Sequence, residues 1–158
     1  MLTVELRKWS VDCEPDLTAE AYALMDTGGA ERCGCEECFN FAAVRHLIYP
    51  SALLELFDCM GIDPQLEADV EHEACVADGR HGYRARFYLV GAIASGPTTT
   101  VARCGRDLAR SLEATGEEIS VGFSVAPEDT PDAFLGLPTV CMEVAVLAPW
   151  ISNAPEPH

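Results

Sequence analysis

The sequence predicts a single α+β domain, built on an antiparallel sheet of about five strands with helices mainly from the N-terminal half. Several segments alternate apolar and polar residues at every second position, which is typical of half-buried strands. In the first half, other segments repeat apolar residues at spacings of three and four, which is typical of helices. Strands and helices do not alternate as βαβα units, which argues against a parallel sheet.

Length and composition agree with one domain. The 158 residues suffice to bury about two thirds of the surface that the unfolded chain exposes, so folding requires neither a metal nor a disulfide. Hydrophobic residues make up 49% of the chain and charged residues 23%, which are the values of a packed domain rather than of a disordered chain. We expect the domain to span residues 1–150 and residues 151–158 to form a flexible tail.

The chain begins with a strand and a helix. Residues 2–13 alternate as a strand, and the change of parity at Arg7 and Lys8 predicts a bulge there. The helix is expected to begin at Thr18, a good N-cap residue, and to end at the glycine pair 28–29.

Two further helices are separated by a proline. The first is predicted over Glu36–Ile48 and ends before Tyr49 and Pro50, since proline lacks the amide donor and disfavours helix in the residue before it. The second is predicted from Ser51 to Gly61.

The second half supplies most of the sheet. Residues 67–77 alternate strongly, and Asp78 with Gly79 forms a hairpin turn signal that leads to a returning strand over 83–90. Two more strands are predicted from their alternation and one helix from its leucine spacing: strands 119–125 and 140–147, and helix 105–115.

The hairpin pairs acids with arginines. A two-residue turn places Glu73 opposite Arg84 and Glu71 opposite Arg86, whereas a four-residue loop places Glu73 opposite Arg86. In both registers the charged side chains share one face, which we interpret as a solvated face of the sheet.

The charge balance restricts the partners. The chain has 26 acidic residues against 10 Lys and Arg, a formal net charge of -16, which repels phosphate backbones and anionic lipid surfaces. Nucleic acid and membranes are therefore disfavoured as partners. The partners that remain are a second copy of this chain, docked through the sheet, and a basic protein.

A cytoplasmic location is expected. The first ten residues mix acids and bases without the apolar core of a signal peptide, and no segment approaches the roughly 18 apolar residues of a membrane span. In a reducing compartment the eight cysteines are expected to be thiols, metal ligands or buried apolar groups.

Residues 33–41 read CGCEECFNF and contain three candidate zinc ligands, Cys33, Cys35 and Cys38. A structural zinc site needs four ligands in a tetrahedron, and zinc is the candidate cofactor that this cluster suggests. The fourth ligand is unknown, because none of the candidates has a diagnostic spacing: Cys13, His46, Cys59 or a carboxylate.

Two other interpretations of the cysteines are kept beside the metal site. Cys35 and Cys38 at a helix start suggest a redox pair, although the neighbouring acids Glu31, Glu36 and Glu37 oppose a second negative charge. The favoured interpretation is that the three cysteines pack as small apolar groups where the loop meets the core.

Catalytic motifs are not found in the sequence. It contains no GxSxG, no HExxH and no glycine-rich phosphate loop, so whether the protein is an enzyme stays undecided and its catalytic residues stay unknown. The histidine of most interest is His72, because it interrupts the apolar face of its strand and needs a partner, either a backbone carbonyl or a substrate.

Four short motifs resemble an uncharacterised family of small bacterial proteins. They are CxxCxNF at 35–41, GIDP at 61–64, GYxxxF at 82–87 and the dipeptide Pro149-Trp150. The resemblance implies a single domain of bacterial, cytoplasmic origin and carries no established activity. The sequence therefore favours a non-enzymatic structural or interaction protein, with a zinc-binding or thiol-redox protein as the alternative.

Overall fold

Seven antiparallel strands form one sheet in the computed structural model, which describes residues 1–6, 9–75, 79–96, 113–116, 119–126, 130–153 and 155–156. The strand order is β1-β2-β4-β7-β6-β5, and β3 also pairs with β4. The strands are β1 Leu2–Leu6, β2 Trp9–Cys13, β3 Asp69–Cys75, β4 Arg80–Ser95, β5 Glu113–Gly116, β6 Ile119–Val125 and β7 Thr139–Pro149.

The helices of the described residues come almost entirely from the first half of the chain. They are α1 Pro15–Ala23, α2 Gly29–Cys33, α3 Glu36–Ile48, α4 Ser51–Met60 and a short 3-10 helix Asp132–Phe134. The predicted α+β class with an antiparallel sheet is confirmed. None of the described helices is long and apolar enough to cross a membrane.

The bounds of α3 and α4 are those that the sequence predicts. Pro50 separates the two helices, and Gly61 closes α4 in the left-handed conformation, with φ 78°. Gly61 also lies against α1, since a Cβ at this position would be 2.2 Å from the carbonyl oxygen of Pro15. Glycine is therefore required here for both its backbone conformation and its small size.

α1 begins three residues before the predicted start. Pro15 occupies the first helical turn, and Glu14, not Thr18, is the N-cap residue. Thr18 is buried inside the helix, where its Oγ1 donates to the Glu14 carbonyl at 2.9 Å and accepts from the Val90 amide at 3.0 Å. The helix ends at Ala23, and the predicted stop at the glycine pair is instead the beginning of α2.

The long strand β4 organises the sheet. One edge pairs with β7 from Arg80↔Pro149 to Val90↔Thr139, and the other edge pairs first with β3 and then with β2. In the gap between β3 and β2, side chains of α1 satisfy the exposed backbone groups of β4. The Tyr22 hydroxyl donates to the Tyr88 carbonyl at 2.9 Å and accepts from the Tyr88 amide at 3.0 Å.

The core lies between the sheet and helices α3 and α4. Aromatic rings connect the two layers, with centroids 5.2 Å apart for Phe41 and Tyr83 and 4.7 Å apart for Phe57 and Phe87. Because Tyr83 and Phe87 have the same parity on β4, both point toward the helices.

Two differences raise the number of strands from about five to seven. Residues 2–13 form a hairpin of two strands, paired from Leu2↔Cys13 to Leu6↔Trp9, rather than one bulged strand. The two strands are antiparallel, which accounts for the change of parity between them; residues 7 and 8, where the sequence predicts a bulge, lie outside the described residues. Residues 113–116 form β5 instead of the end of the predicted helix 105–115, whose residues 105–112 also lie outside the described part.

Both predicted registers of the β3–β4 pair are wrong. The structure pairs Glu71 with Arg84 and Asp69 with Arg86, and an irregularity between His72 and Ala74 shifts the register. The last pair among the described residues of the two strands is Cys75 with His81. The shift of two residues preserves side-chain parity, so acids still face arginines.

Candidate metal centre

The three cysteines of the sequence cluster lie at the junction of α2 and α3. α2 ends at Cys33, Gly34 adopts the left-handed conformation with φ 73°, and Cys35 is the N-cap residue of α3. Cys38 lies in the first turn of α3. The left-handed glycine reverses the chain within one residue, which brings the sulfur atoms on both sides of it together.

The sulfur atoms converge without forming a disulfide. Cys33 Sγ and Cys35 Sγ are 3.3 Å apart, and the ligand atoms of Cys33, Cys35 and Cys38 all lie within 4.8 Å of one another. All three cysteines are free thiols. Bonds of about 2.3 Å to a tetrahedral zinc ion separate the sulfurs by about 3.8 Å, so small side-chain movements bring the cluster to that geometry.

The pKa values of Cys33 and Cys38 are shifted in opposite directions. Hydrogen bonding with the Cys35 backbone, and then with the Cys38 and Cys35 side chains, lowers the pKa of the Cys33 thiol below its ordinary value. Burial, reinforced by the other two thiols, raises the pKa of Cys38. The Cys38 amide donates to Cys35 Sγ at 3.3 Å, as expected of a group at a helix N-terminus. Cys33 therefore ionises before Cys38.

Burial separates the cysteines into two kinds. Cys38 is buried, whereas Cys33 and Cys35 are exposed. Packing as small apolar groups, the interpretation favoured by the sequence, therefore accounts for Cys38 only.

The predicted sources of a fourth ligand do not join the cluster. Cys13 is buried elsewhere, with its Sγ 3.5 Å from the Met60 carbonyl oxygen. His46 and Cys59 are exposed on α3 and α4 and are not among the converging ligand atoms. Among the described residues, the centre has three protein ligands, which leaves one position of a tetrahedron for a water or a partner's group.

Tyr83 fixes the first turn of α3 to the sheet. Its hydroxyl donates to the Glu37 carbonyl at 2.9 Å and accepts from Asn40 Nδ2 at 3.2 Å. Burial, opposed by the hydrogen bond with Asn40, raises the pKa of Tyr83 to about 12, so the phenol stays protonated and keeps donating. The cysteine loop is consequently attached to β4 through one side chain.

Asn40 connects the same turn to the end of β7. Its Nδ2 also donates to the Pro149 carbonyl at 3.0 Å, and its Oδ1 accepts from the amides of Ile151 and Ser152 at 2.8 and 3.0 Å. Asn40 is fully buried. The motif residues that are distant in sequence thus contact one another, since Asn40 belongs to CxxCxNF, Tyr83 to GYxxxF and Pro149 to the Pro149-Trp150 dipeptide.

A buried ion-pair cluster lies beneath α2 and α3, and the sequence does not predict it. Arg45 Nη1 donates to Glu67 Oε1 at 3.0 Å and to Glu31 Oε2 at 3.0 Å. Burial raises the pKa of Glu67, while the hydrogen bond from Arg45 lowers the pKa of Glu31. Two carboxylates share one guanidinium, so this cluster stabilises the start of α2, where the Ala30 amide donates to Glu67 Oε1.

The arginines of the acid and arginine face are buried, whereas Glu71 and Glu73 of β3 are exposed, so the prediction of a solvated face is wrong for the arginines and holds for these acids. Arg84 and Arg86 are 4% and 6% exposed, and Glu143 of β7, opposite Arg86, is 3% exposed. Arg84 Nε lies 2.9 Å from Glu143 Oε1, and Arg84 also pairs with Glu73. The sequence pattern identifies the charged pairs, but it contains no sign of what covers them.

His72 finds its partner on the neighbouring strand. Its Nε2 lies 2.9 Å from Nδ1 of His81, which is neither of the two partners that the sequence suggests. Burial and the neighbouring His81 lower the pKa of His72, so the ring is neutral near pH 7.

No protein-family model matches the sequence, and no curated protein or solved structure matches the chain. The resemblance to a small bacterial family stays a prediction, and the function rests on the geometry alone.

Proposed function

We propose that the protein is a non-enzymatic binding protein whose functional site holds a thiophilic divalent cation, with zinc the best match, through Cys33, Cys35 and Cys38. The observation that carries the proposal is the convergence of three free sulfur atoms within 4.8 Å at one helix junction. Thiolate ligands favour zinc and other soft or borderline ions over calcium and magnesium, which prefer oxygen.

The acids around the loop disfavour a free thiolate, but they favour a bound cation. Glu36 and Glu37 lie in the first turn of α3, and the Glu37 carboxylate raises the energy of a negative charge on Cys33. A bound divalent cation reverses the sign of that interaction. The ion also displaces the remaining thiol protons, since a coordinating thiol is deprotonated.

The exposure of two of the three cysteines suggests how a metal ion bound there would contact a partner. Cys33 and Cys35 are exposed and Cys38 is buried, so the ion would sit at the surface with its open position toward the solvent. A group from a partner protein can complete the tetrahedron there. We propose that the protein acts in the cytoplasm and that its net charge of -16 directs it toward a second copy of the chain or a basic protein, rather than nucleic acid.

Thiol redox chemistry is the second candidate, and the 3.3 Å between the sulfurs of Cys33 and Cys35 favours it. The Cys33 thiolate would attack a small-molecule disulfide and release one thiol, and Cys35 would then displace the second. The products are a Cys33–Cys35 disulfide and two reduced thiols, with the oxidant supplying both oxidising equivalents. The pair differs from the Cys35 and Cys38 pair that the sequence suggests, because Cys38 is buried with a raised pKa.

Zinc analysis of cysteine variants tests the proposal. The C33S/C35S/C38S variant is expected to lose one bound zinc per chain relative to the unsubstituted protein. The matched control is C59S, which removes an exposed thiol on α4 and should leave the zinc content unchanged.

Two results would count against the metal-binding proposal. Equal zinc content in the triple variant and in the unsubstituted protein contradicts the proposal. If the unsubstituted protein instead loses two free thiols to glutathione disulfide, and C33S does not, the redox candidate replaces it.

A further inference from the structure

A second group of metal-ligating side chains lies at the other end of the β3–β4 pair. It consists of Cys75, His81 and Glu156, whose ligand atoms all lie within 4.8 Å of one another. The three residues come from the end of β3, the beginning of β4 and the segment after β7. Cys75 and His81 are direct cross-strand partners, so their side chains are adjacent on one face of the sheet.

The imidazole of His81 is held in one orientation. Its side chain is fully buried, with Nδ1 2.9 Å from His72 Nε2 and Nε2 2.8 Å from Glu156 Oε1. The indole ring of Trp150 lies 5.2 Å from the imidazole, centroid to centroid. Nε2 is therefore the ring nitrogen that points at the carboxylate, and Nδ1 is occupied by a neighbouring histidine.

We infer that Cys75, His81 Nε2 and Glu156 form a second site for a divalent cation of the zinc class. Sulfur, imidazole nitrogen and carboxylate oxygen are the three kinds of ligand that zinc takes from proteins. Bonds of about 2.0–2.3 Å around a tetrahedral ion place neighbouring ligand atoms about 3.3–3.8 Å apart, within the spread of this group.

His72 contacts Nδ1 of His81, the ring nitrogen that does not face the proposed ion. A metal-bound imidazole in proteins donates its other N–H to a fixed acceptor, which sets its tautomer and orientation. Without the ion, the tautomer in which His81 Nε2–H donates to Glu156 leaves His81 Nδ1 as the acceptor for His72 Nε2–H. With the ion on Nε2, His81 Nδ1–H donates to His72 Nε2, and His72 carries its proton on Nδ1. Binding of the ion thus exchanges the tautomers of the two rings and releases the thiol proton of Cys75.

A metal ion bound at this site would attach the end of the chain to the sheet. Glu156 belongs to the segment predicted as a flexible tail, and its side chain is 45% exposed. An ion bound to Glu156 links this segment to the β3–β4 pair, in addition to the hydrogen bonds that Ile151 and Ser152 make with Asn40. The site shares no ligand with the three-cysteine centre, so each of the two proposals can be tested independently of the other.

Metal binding in the C33S/C35S/C38S background tests the inference, with zinc and cobalt(II) as the probes. This variant should bind one zinc per chain and should show a thiolate-to-cobalt charge-transfer band. Adding C75S should abolish the band, and adding E156Q should weaken zinc binding by at least about tenfold. The controls are C59S and E71Q, which remove an exposed thiol and an exposed carboxylate outside the group and should change neither result.

Each outcome decides the matter. Glu156 is partly exposed, so E156Q does not depend on refolding of a buried site, as a substitution of His81 would. No zinc in the triple-serine background, or a cobalt band that survives C75S, overturns the second site while leaving the first intact. Unchanged total zinc in the triple-serine variant overturns the first site instead.

Discussion

Replacing Asn40 by aspartate is expected to lower the free energy of unfolding by about 3–5 kcal/mol. The amide of Asn40 donates to the Pro149 carbonyl and the Tyr83 hydroxyl and accepts from two backbone amides. A carboxylate at this position keeps the two accepted hydrogen bonds. It loses both donors, faces the Pro149 carbonyl oxygen with a second oxygen, and buries a charge in a fully buried site.

Urea unfolding of Asn40→Asp beside Asn153→Asp measures this effect. Asn153 is exposed, so the same chemical change there should alter the free energy of unfolding by less than about 0.5 kcal/mol. Equal effects of the two substitutions would show that Asn40 does not fasten α3 to the end of the sheet.

The buried Glu143 is expected to make the protein less stable as the pH rises from about 4.5 to 7. Burial, opposed by Arg84 and Arg86, raises the pKa of Glu143 from its ordinary value of 4.5 to about 7. The folded state therefore binds this proton more tightly than the unfolded state does. The resulting stabilisation is fully present below about pH 4.5 and is lost as the pH passes 7, a difference of about 3 kcal/mol.

Glu143→Gln removes this dependence. The amide cannot ionise, and each arginine keeps another carboxylate, since Arg84 pairs with Glu73 and Arg86 Nη1 lies 3.3 Å from Asp69 Oδ2. The difference in unfolding free energy between this variant and the unsubstituted protein should shift by about 3 kcal/mol in favour of the variant between pH 4.5 and 8.

The control is an exposed acid away from this face of the sheet. Glu55 is exposed on α4, so Glu55→Gln should leave the pH profile of stability close to that of the unsubstituted protein. A pH profile of Glu143→Gln that runs parallel to the unsubstituted profile would falsify the assignment of the titration to Glu143.

Local signals were enough to predict the elements that have strong start and stop residues. α3 and α4 have the predicted bounds because Pro50 and Gly61 act through backbone geometry alone. The β1–β2 hairpin is not predictable in this way, because the sequence between its two strands, Arg7 and Lys8, contains no glycine, asparagine or proline signal.

Burial of charge was not predictable in the same way. The alternation in β3 and β4 correctly places acids opposite arginines, yet Arg84, Arg86 and Glu143 are buried because of what the rest of the fold packs over them. A sequence pattern with a period of two reports which side chains share a face. It does not report whether that face meets water.

The two candidate sites differ in how far the sequence alone predicts that their residues lie close together. Cys33, Cys35 and Cys38 lie within six residues around a left-handed glycine, so their proximity follows from local chain geometry. The second group joins Cys75 and His81 to Glu156, which lies far from them in sequence and is brought to them by the sheet, the Asn40 contacts and the packing of Trp150 on His81. The sequence of residues 151–158 contains no pattern that would identify Glu156 as a candidate metal ligand.

X-ray absorption at the zinc edge tests the three-cysteine centre most directly. The sample is the Cys75→Ser variant loaded with one equivalent of zinc, in which the second group lacks its sulfur ligand. The expected spectrum has three sulfur neighbours at about 2.3 Å and one nitrogen or oxygen neighbour. A first shell with no more than one sulfur, or protein that retains no zinc after desalting, contradicts the assignment of Cys33, Cys35 and Cys38 as a metal site.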